Sequence, residues 1–162
     1  MYEKGFRTVV STLRRYSGSP VSEMKTLNYI ESMLARQEAR MAAYDEALLL
    51  NEKGYLSELS SGNMFIVIGG VLKTPPEDSG FISGVVREVV LQIASQLDKE
   101  TIETDITLED LYQADEAFLT NSVFEIMPLT SVNNRVIASG KPGKMTNEIL
   151  GVYRDMVSKE CT

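Results

Sequence analysis

Lys25, in the run Met24-Lys25-Thr26-Leu27-Asn28-Tyr29, and Glu58, at the end of a hairpin strand, are the side chains with which this sequence could carry proton chemistry. An amine can add to a carbonyl carbon and move a proton, and a carboxylate can hold a neighbouring cation. The glycine-bearing run Ser79-Gly80-Phe81-Ile82-Ser83-Gly84-Val85-Val86-Arg87 leads into helical sequence, where backbone N–H groups can cradle a phosphate. Singly, each has a plainer explanation. Lysines are normally solvated because burying an unpaired ammonium is costly, an acid at a strand end is normally exposed, and a glycine before a helix is common. The absence of histidine excludes a Ser-His-Asp or Cys-His system and any His-ligated metal centre built from these residues. Chemistry must therefore rest on lysine, carboxylates, hydroxyls or a cofactor.

The 162 residues, 43% hydrophobic and 24% charged, suffice for one sizeable core, and a single domain over 1–162 is expected. Sixteen basic against twenty-three acidic residues leave a net charge of −7, the wrong sign for a surface that neutralises nucleic acid or an anionic membrane. The longest apolar stretch, Met64 to Val71, is broken by Gly69-Gly70 and falls far short of the roughly 20 residues that span a bilayer. One cysteine, Cys161, allows neither a disulfide framework nor a Cys-based metal site. With no basic-then-apolar secretion signal at the N-terminus, a reducing, cytoplasmic setting is expected.

The elements that must position these residues follow from periodicity. Phe6 to Tyr16, rich in β-branched residues, reads as a strand ending at Ser17-Gly18-Ser19-Pro20. Leu27, Ile30, Met33-Leu34 and Ala39 recur at helical spacing and predict a helix over Ser22 to Ala43. Glu46 to Leu50 and Tyr55 to Glu58 form a hairpin around Asn51–Gly54, and Met64–Ile68 with Val71–Thr74 a second around the glycine pair. Ser83 to Leu97 is helical, Thr107 to Asp110 resembles a helix cap, and strands return at Ala117–Thr120 and Glu125–Leu129. An Asn133-Asn134 turn precedes a last helix over Met145 to Lys159. Helices interleaved with antiparallel hairpins predict an α+β domain.

In this order the segments resemble the PLP-dependent enzymes of aminotransferase class IV (fold type IV). That group includes branched-chain and D-amino-acid aminotransferases and 4-amino-4-deoxychorismate lyase. Its signature is an acid, a small residue, then Asn-apolar-aromatic, a strand ending in Thr, and an apolar-x-Gly-apolar-x-basic turn. Glu58-Leu59-Ser60-Ser61-Gly62-Asn63-Met64-Phe65, Leu72-Lys73-Thr74 and Ile82-Ser83-Gly84-Val85-Val86-Arg87 meet it in full. Upstream, Lys25 to Tyr29 resembles the family's cofactor-linked lysine segment. Downstream, Ala114 to Ser122 and Glu125 to Leu129 resemble its second cofactor loop.

The resemblance implies a fold type IV large domain, a mixed and mostly antiparallel sheet or barrel with flanking helices, holding pyridoxal 5′-phosphate. It casts Lys25 as the catalytic amine that holds the cofactor aldehyde as an imine and moves the substrate's Cα proton. Glu58 keeps the pyridine nitrogen protonated, and Tyr29 approaches the 3′-oxygen. Gly84, Val85 and Val86 give backbone N–H groups to the phosphate, Ser122 adds a hydroxyl and its own N–H, and Asn121 lies beside them. Val86 stands where relatives commonly have Thr, which keeps the N–H and removes a hydroxyl.

The family's smaller N-terminal domain has no counterpart here, so the chain resembles the C-terminal, cofactor-binding half of an enzyme. A homodimer acting on an amino-acid-like small molecule is implied. The short Lys-x-x-Asn spacing and Thr120-Asn121-Ser122 resemble the lyase, which eliminates pyruvate and releases 4-aminobenzoate. The alternatives are a branched-chain or D-amino-acid aminotransferase, and a truncated chain that folds and associates without catalysis.

Overall fold

Strands β4 (Asn63–Ile68) and β7 (Glu116–Asn121) show how the sequence organises one sheet. Met64, Ile66 and Leu119 point into one apolar cluster, while the alternating Phe65, Val67 and Phe118 point into another. A strand covered on both faces reads as a continuous apolar run, as Met-Phe-Ile-Val-Ile does. The computed structural model describes residues 1–160, so Cys161 lies outside the described residues.

The sheet is nine-stranded. Its order is β3 (Leu56–Leu59), β2 (Glu46–Asn51), β1 (Phe6–Arg15), β8 (Glu125–Val132), β7, β4, β5 (Val71–Thr74) and β6 (Thr101–Glu103), with β9 (Arg135–Val136) paired to β8. β1 runs parallel to β2 and β8, and β5 parallel to β6; the remaining pairings are antiparallel. This is the mixed α+β architecture expected from the order of elements. Only Ser60-Ser61-Gly62 separates β3, at one edge, from β4 near the other. An extended chain covers about 14 Å between Leu59 and Asn63 at most, so the sheet curls to bring these strands together.

Helices α2 (Val85–Gln96) and α4 (Lys144–Glu160) cover the outer face, with Val90, Ile93 and Ile149 against Phe65 and Phe118, whose rings stack at 5.0 Å. The other face packs Leu48, Leu56, Met64, Ile66 and Ile106 with Leu111 of α3 (Leu108–Gln113). Thr107 and Asp110 form the expected capping box at the start of α3. Gly69 and Gly70 turn the β4–β5 hairpin at φ of 59° and 83°, the region that favours glycine. β6 and β9, three and two residues long, are too short to carry a period that the sequence could show.

The helix expected over Ser22 to Ala43 is the main departure. A 3-10 turn occupies Pro20–Glu23, residues 24–29 are not helical, and α1 spans only Ile30–Met41. Thr26 Oγ1 accepts the Asn28 backbone N–H at 3.2 Å, a local bond that competes with helix formation. The face also differs from the apolar stripe of the sequence. Ser32, Ala35 and Ala39 are buried, the two alanines against Ala47 and Leu49, while Ile30, Met33, Leu34 and Met41 face outward. Small side chains let α1 approach the sheet closely, and they win that face over the larger ones. Among the described residues no helix is long and apolar enough to cross a membrane.

Candidate active site

The curl of the sheet brings five chain segments, the end of β1 among them, around a cavity of about 190 Å³. Every site residue expected from the sequence lines it. Lys25 and Tyr29 come from the segment before α1, Glu58 from β3, Gly84, Val85 and Val86 from the start of α2, and Asn121 and Ser122 from the β7–β8 turn. Lys25, Tyr29 and Ser122 are exposed, so the cavity is open on their side.

Glu58 is buried, contrary to the plain expectation for an acid at a strand end. Its Oε1 accepts from Arg15 Nε at 3.0 Å and forms an ion pair with Nη2 at 2.7 Å, and Arg15 also reaches Glu31 at 3.0 Å and Ser32 Oγ at 2.7 Å. Burial pushes the Glu58 carboxyl up to about 7, against the opposing pull of Arg15 and of the Ile82 backbone N–H. The guanidinium does not fully offset what desolvation costs the carboxylate. A cation entering the cavity beside Glu58 would add the missing compensation.

Gly84 is the N-cap of α2, and its N–H is already engaged, donating to Asn63 Oδ1 at 3.1 Å. Asn63 Nδ2 donates in turn to Ile82 O at 2.9 Å, fixing the loop that delivers α2. A Cβ on Gly84 would lie 2.4 Å from Asn63 Oδ1, so glycine is what permits this contact. The N–H groups of Val85 and Val86 follow and have no acceptor within the helix, which leaves the positive end of a twelve-residue helix toward the cavity.

Across from them, Asn121 Oδ1 accepts the N–H groups of Val123 at 2.9 Å and Phe124 at 2.6 Å, holding the turn that carries Ser122. Thr120, next in line, is buried with its hydroxyl unpartnered on the cavity wall. An orphaned buried hydroxyl beside a cavity is a group that a bound ligand can satisfy. The donors at the α2 start and at Ser122 suit an anion, Glu58 suits a cationic ring nitrogen or ammonium, and Lys25 brings an amine to the open side.

Sequence reasoning missed Arg15, Asn63 as an organiser, and Thr120. Arg15 could have been suspected from one physical requirement: a buried acid needs a cation, and Arg15 closes β1.

The model of the class IV amino-transferases matches residues 1–132, most of the chain. The chain belongs to the class IV aminotransferases. The branched-chain-amino-acid aminotransferase of Escherichia coli K12 is 35% identical over 160 residues, 98% of this chain and 52% of the relative. Among solved structures, the branched-chain aminotransferase of Thermoproteus uzoniensis with norvaline superposes at a TM-score of 0.91 with 38% identity, covering 97% of this chain and 52% of the other. The branched-chain amino acid aminotransferase of Thermobaculum terrenum in its PLP form gives 0.91 with 33% identity, covering 96% and 52%. This class IV chain thus spans about half the length of the curated relatives it matches.

Proposed function

We propose that the chain is the cofactor-binding part of a pyridoxal 5′-phosphate-dependent aminotransferase acting on branched-chain amino acids, with Lys25 as its catalytic amine. The observation that carries this reading is one cavity lined by an amine, an arginine-held acid, and a helix N-terminus facing a hydroxyl turn. When bound, the cofactor supplies an aldehyde for amines and a protonated ring that draws electrons from the substrate's Cα.

The chain's residues have separate tasks in this reading. Val85 and Val86 N–H groups and the Ser122 hydroxyl hold the phosphate, with Asn121 shaping the turn and Gly84 letting Asn63 anchor the loop. Glu58, steadied by Arg15, would favour the proton on a ring nitrogen placed beside it, and Tyr29 would be the hydroxyl available to the cofactor's 3′-oxygen. Lys25 Nζ would take and return the proton at the substrate's Cα, with the bound cofactor supplying the sink for the electrons left behind.

The names of the relatives support the transaminase alternative over the lyase suggested by the Lys-x-x-Asn spacing. The 25–29 segment that carries this spacing is irregular, so the spacing alone does not fix where the amine points. We assign the substrate pocket to a further domain and to a second copy in a homodimer, a reading supported by the open side of the cavity. The exposure of Lys25 and Tyr29 favours a second reading for the 162-residue chain alone, a folded association module without turnover.

The test is to add pyridoxal 5′-phosphate, reduce with borohydride and map the added mass. A yellow protein with the mass on the Lys25 peptide is expected, and a colourless protein overturns cofactor binding by this chain. Incubating the longest natural form with a branched-chain amino acid and 2-oxoglutarate should give oxo acid. Release of 4-aminobenzoate from 4-amino-4-deoxychorismate would restore the lyase.

A further inference from the structure

Glu46 opens β2 and is fully buried, yet none of the chemistry above uses it. Its carboxylate accepts the hydroxyls of Ser60 and Ser61 and the Ala47 backbone N–H at 2.9 Å. Burying a carboxylate is costly unless donors surround it, so this group organises whatever supplies them. Here the donors are the two serines of the turn that joins β3 to β4, and both line the cavity.

The connection continues to the opposite wall. Asn121 Nδ2 donates to Ser61 O at 3.0 Å and to Ser61 Oγ at 3.3 Å. Because a carboxylate only accepts, the Ser61 hydroxyl must point its hydrogen at Glu46, which leaves its lone pairs for Asn121. The Asn121 amide keeps one orientation, with Nδ2 toward Ser61 O and Oδ1 receiving the Val123 and Phe124 N–H groups, and the Ser61 hydroxyl matches it only while its hydrogen faces Glu46. Gly62 keeps the two turns in register, since a Cβ there would lie 2.3 Å from the Thr120 carbonyl oxygen.

We propose that Glu46 is a positioning residue for the anion-binding turn at Asn121–Ser122. It sets the direction of the Asn121–Ser61–Glu46 chain of hydrogen bonds and so holds Ser122 against the start of α2. This rests on the cofactor reading above. A glutamine at 46 can donate as well as accept, so the Ser61 hydroxyl can reverse and point its hydrogen at Asn121 Nδ2, which breaks that bond and loosens Asn121 from the β3–β4 turn.

The test compares wild type, Glu46→Gln and Ser61→Ala in binding pyridoxal 5′-phosphate and pyridoxal, which lacks the phosphate, followed by absorbance. Wild type should prefer the phosphorylated form. Glu46→Gln should bind pyridoxal 5′-phosphate about tenfold more weakly, equal to about 1.4 kcal/mol, with pyridoxal binding unchanged. Ser61→Ala should shift the same ratio in the same direction, and it decides the matter if Glu46→Gln does not fold. Equal losses for both probes would mean a general structural role and overturn the proposal. Unchanged or tighter binding of the phosphorylated form would also overturn it, the latter through relief of repulsion between two anions. Wild type that binds neither probe removes the cofactor reading itself, whereas an intact wild-type preference with no change in both variants removes only the role of Glu46.

Discussion

Arg15 Nη2 stands 2.7 Å from Glu58 Oε1 with both side chains almost wholly out of water, which joins the end of β1 to β3 at the wall of the cavity. Arg15 also holds Glu31 and Ser32 of α1, so one guanidinium ties three elements around the site. Removing it leaves a buried acid without its cation. Arg15→Met is expected to cost about 3 kcal/mol in urea unfolding at neutral pH, the range found when one partner of a buried pair is deleted. Adding Glu58→Gln should recover part of that loss, because the buried acid, which must take up a proton once Arg15 is gone, is then replaced by a neutral amide. Additive losses in the double-mutant cycle would show that the pair is not coupled.

Glu58 also predicts a pH dependence. Burial raises its folded-state value to about 7 from an ordinary 4.5, so the native chain binds the proton more tightly than the unfolded chain. The stabilisation is complete below about 4.5 and falls away as the pH rises to about 7, by on the order of 3 kcal/mol. Glu38 and Asp110 are lowered by hydrogen bonds from Ser11 and from Thr107, so they act below 4.5, in the opposite sense. Thermal midpoints measured from pH 5 to 7 should therefore decline in wild type and flatten in Glu58→Gln. Added cofactor should restore the midpoint at pH 7, since a cation beside Glu58 favours its ionised form. An identical slope in both proteins would remove Glu58 as its source.

Much of this architecture was legible. Met64-Phe65-Ile66-Val67-Ile68 announced a strand covered on both faces, and Thr107 with Asp110 announced a helix start, because these signals are local. The packing face of α1 was not, since two stripes share its helical period and sterics at the sheet chose Ser32, Ala35 and Ala39 over Ile30 and Met33. Within the site, the expected cavity residues were found through their order along the chain. Arg15 and Glu46 escaped because their meaning lies in partners 43 and 14 or 15 residues away, and no single-window pattern carries a pairing at that distance.

Val86, buried at the second position of α2, gives a test of the phosphate reading that uses a near-isosteric change. Val86→Thr adds a hydroxyl where the structure offers an N–H alone. Without ligand that hydroxyl is desolvated, and unfolding stability is expected to fall by about 1 kcal/mol. With pyridoxal 5′-phosphate the sign reverses, and affinity is expected to rise several-fold through one further bond to the anion. Equilibrium dialysis against the cofactor checks the second effect and denaturant unfolding the first. Weaker binding together with lower stability would place the side chain away from the anion.

The outward face of α1 predicts association. Ile30, Met33, Leu34 and Met41 form one exposed apolar stripe, and Leu27 and Met24, just before the helix, are exposed as well. Burying one such side chain contributes about 2 kcal/mol, so four in one interface amount to a sizeable part of a stable dimer. A glutamate in that stripe would have to be desolvated on association while remaining solvated in the free chain. Leu34→Glu is thus expected to leave monomer stability within about 0.5 kcal/mol of wild type and to weaken self-association by at least tenfold in sedimentation velocity. Val136→Glu, at an exposed valine in the short strand β9, is the control and should leave association unchanged. Equal weakening by both substitutions would trace the effect to net charge, and a wild-type monomer at high concentration would leave α1 without a partner copy.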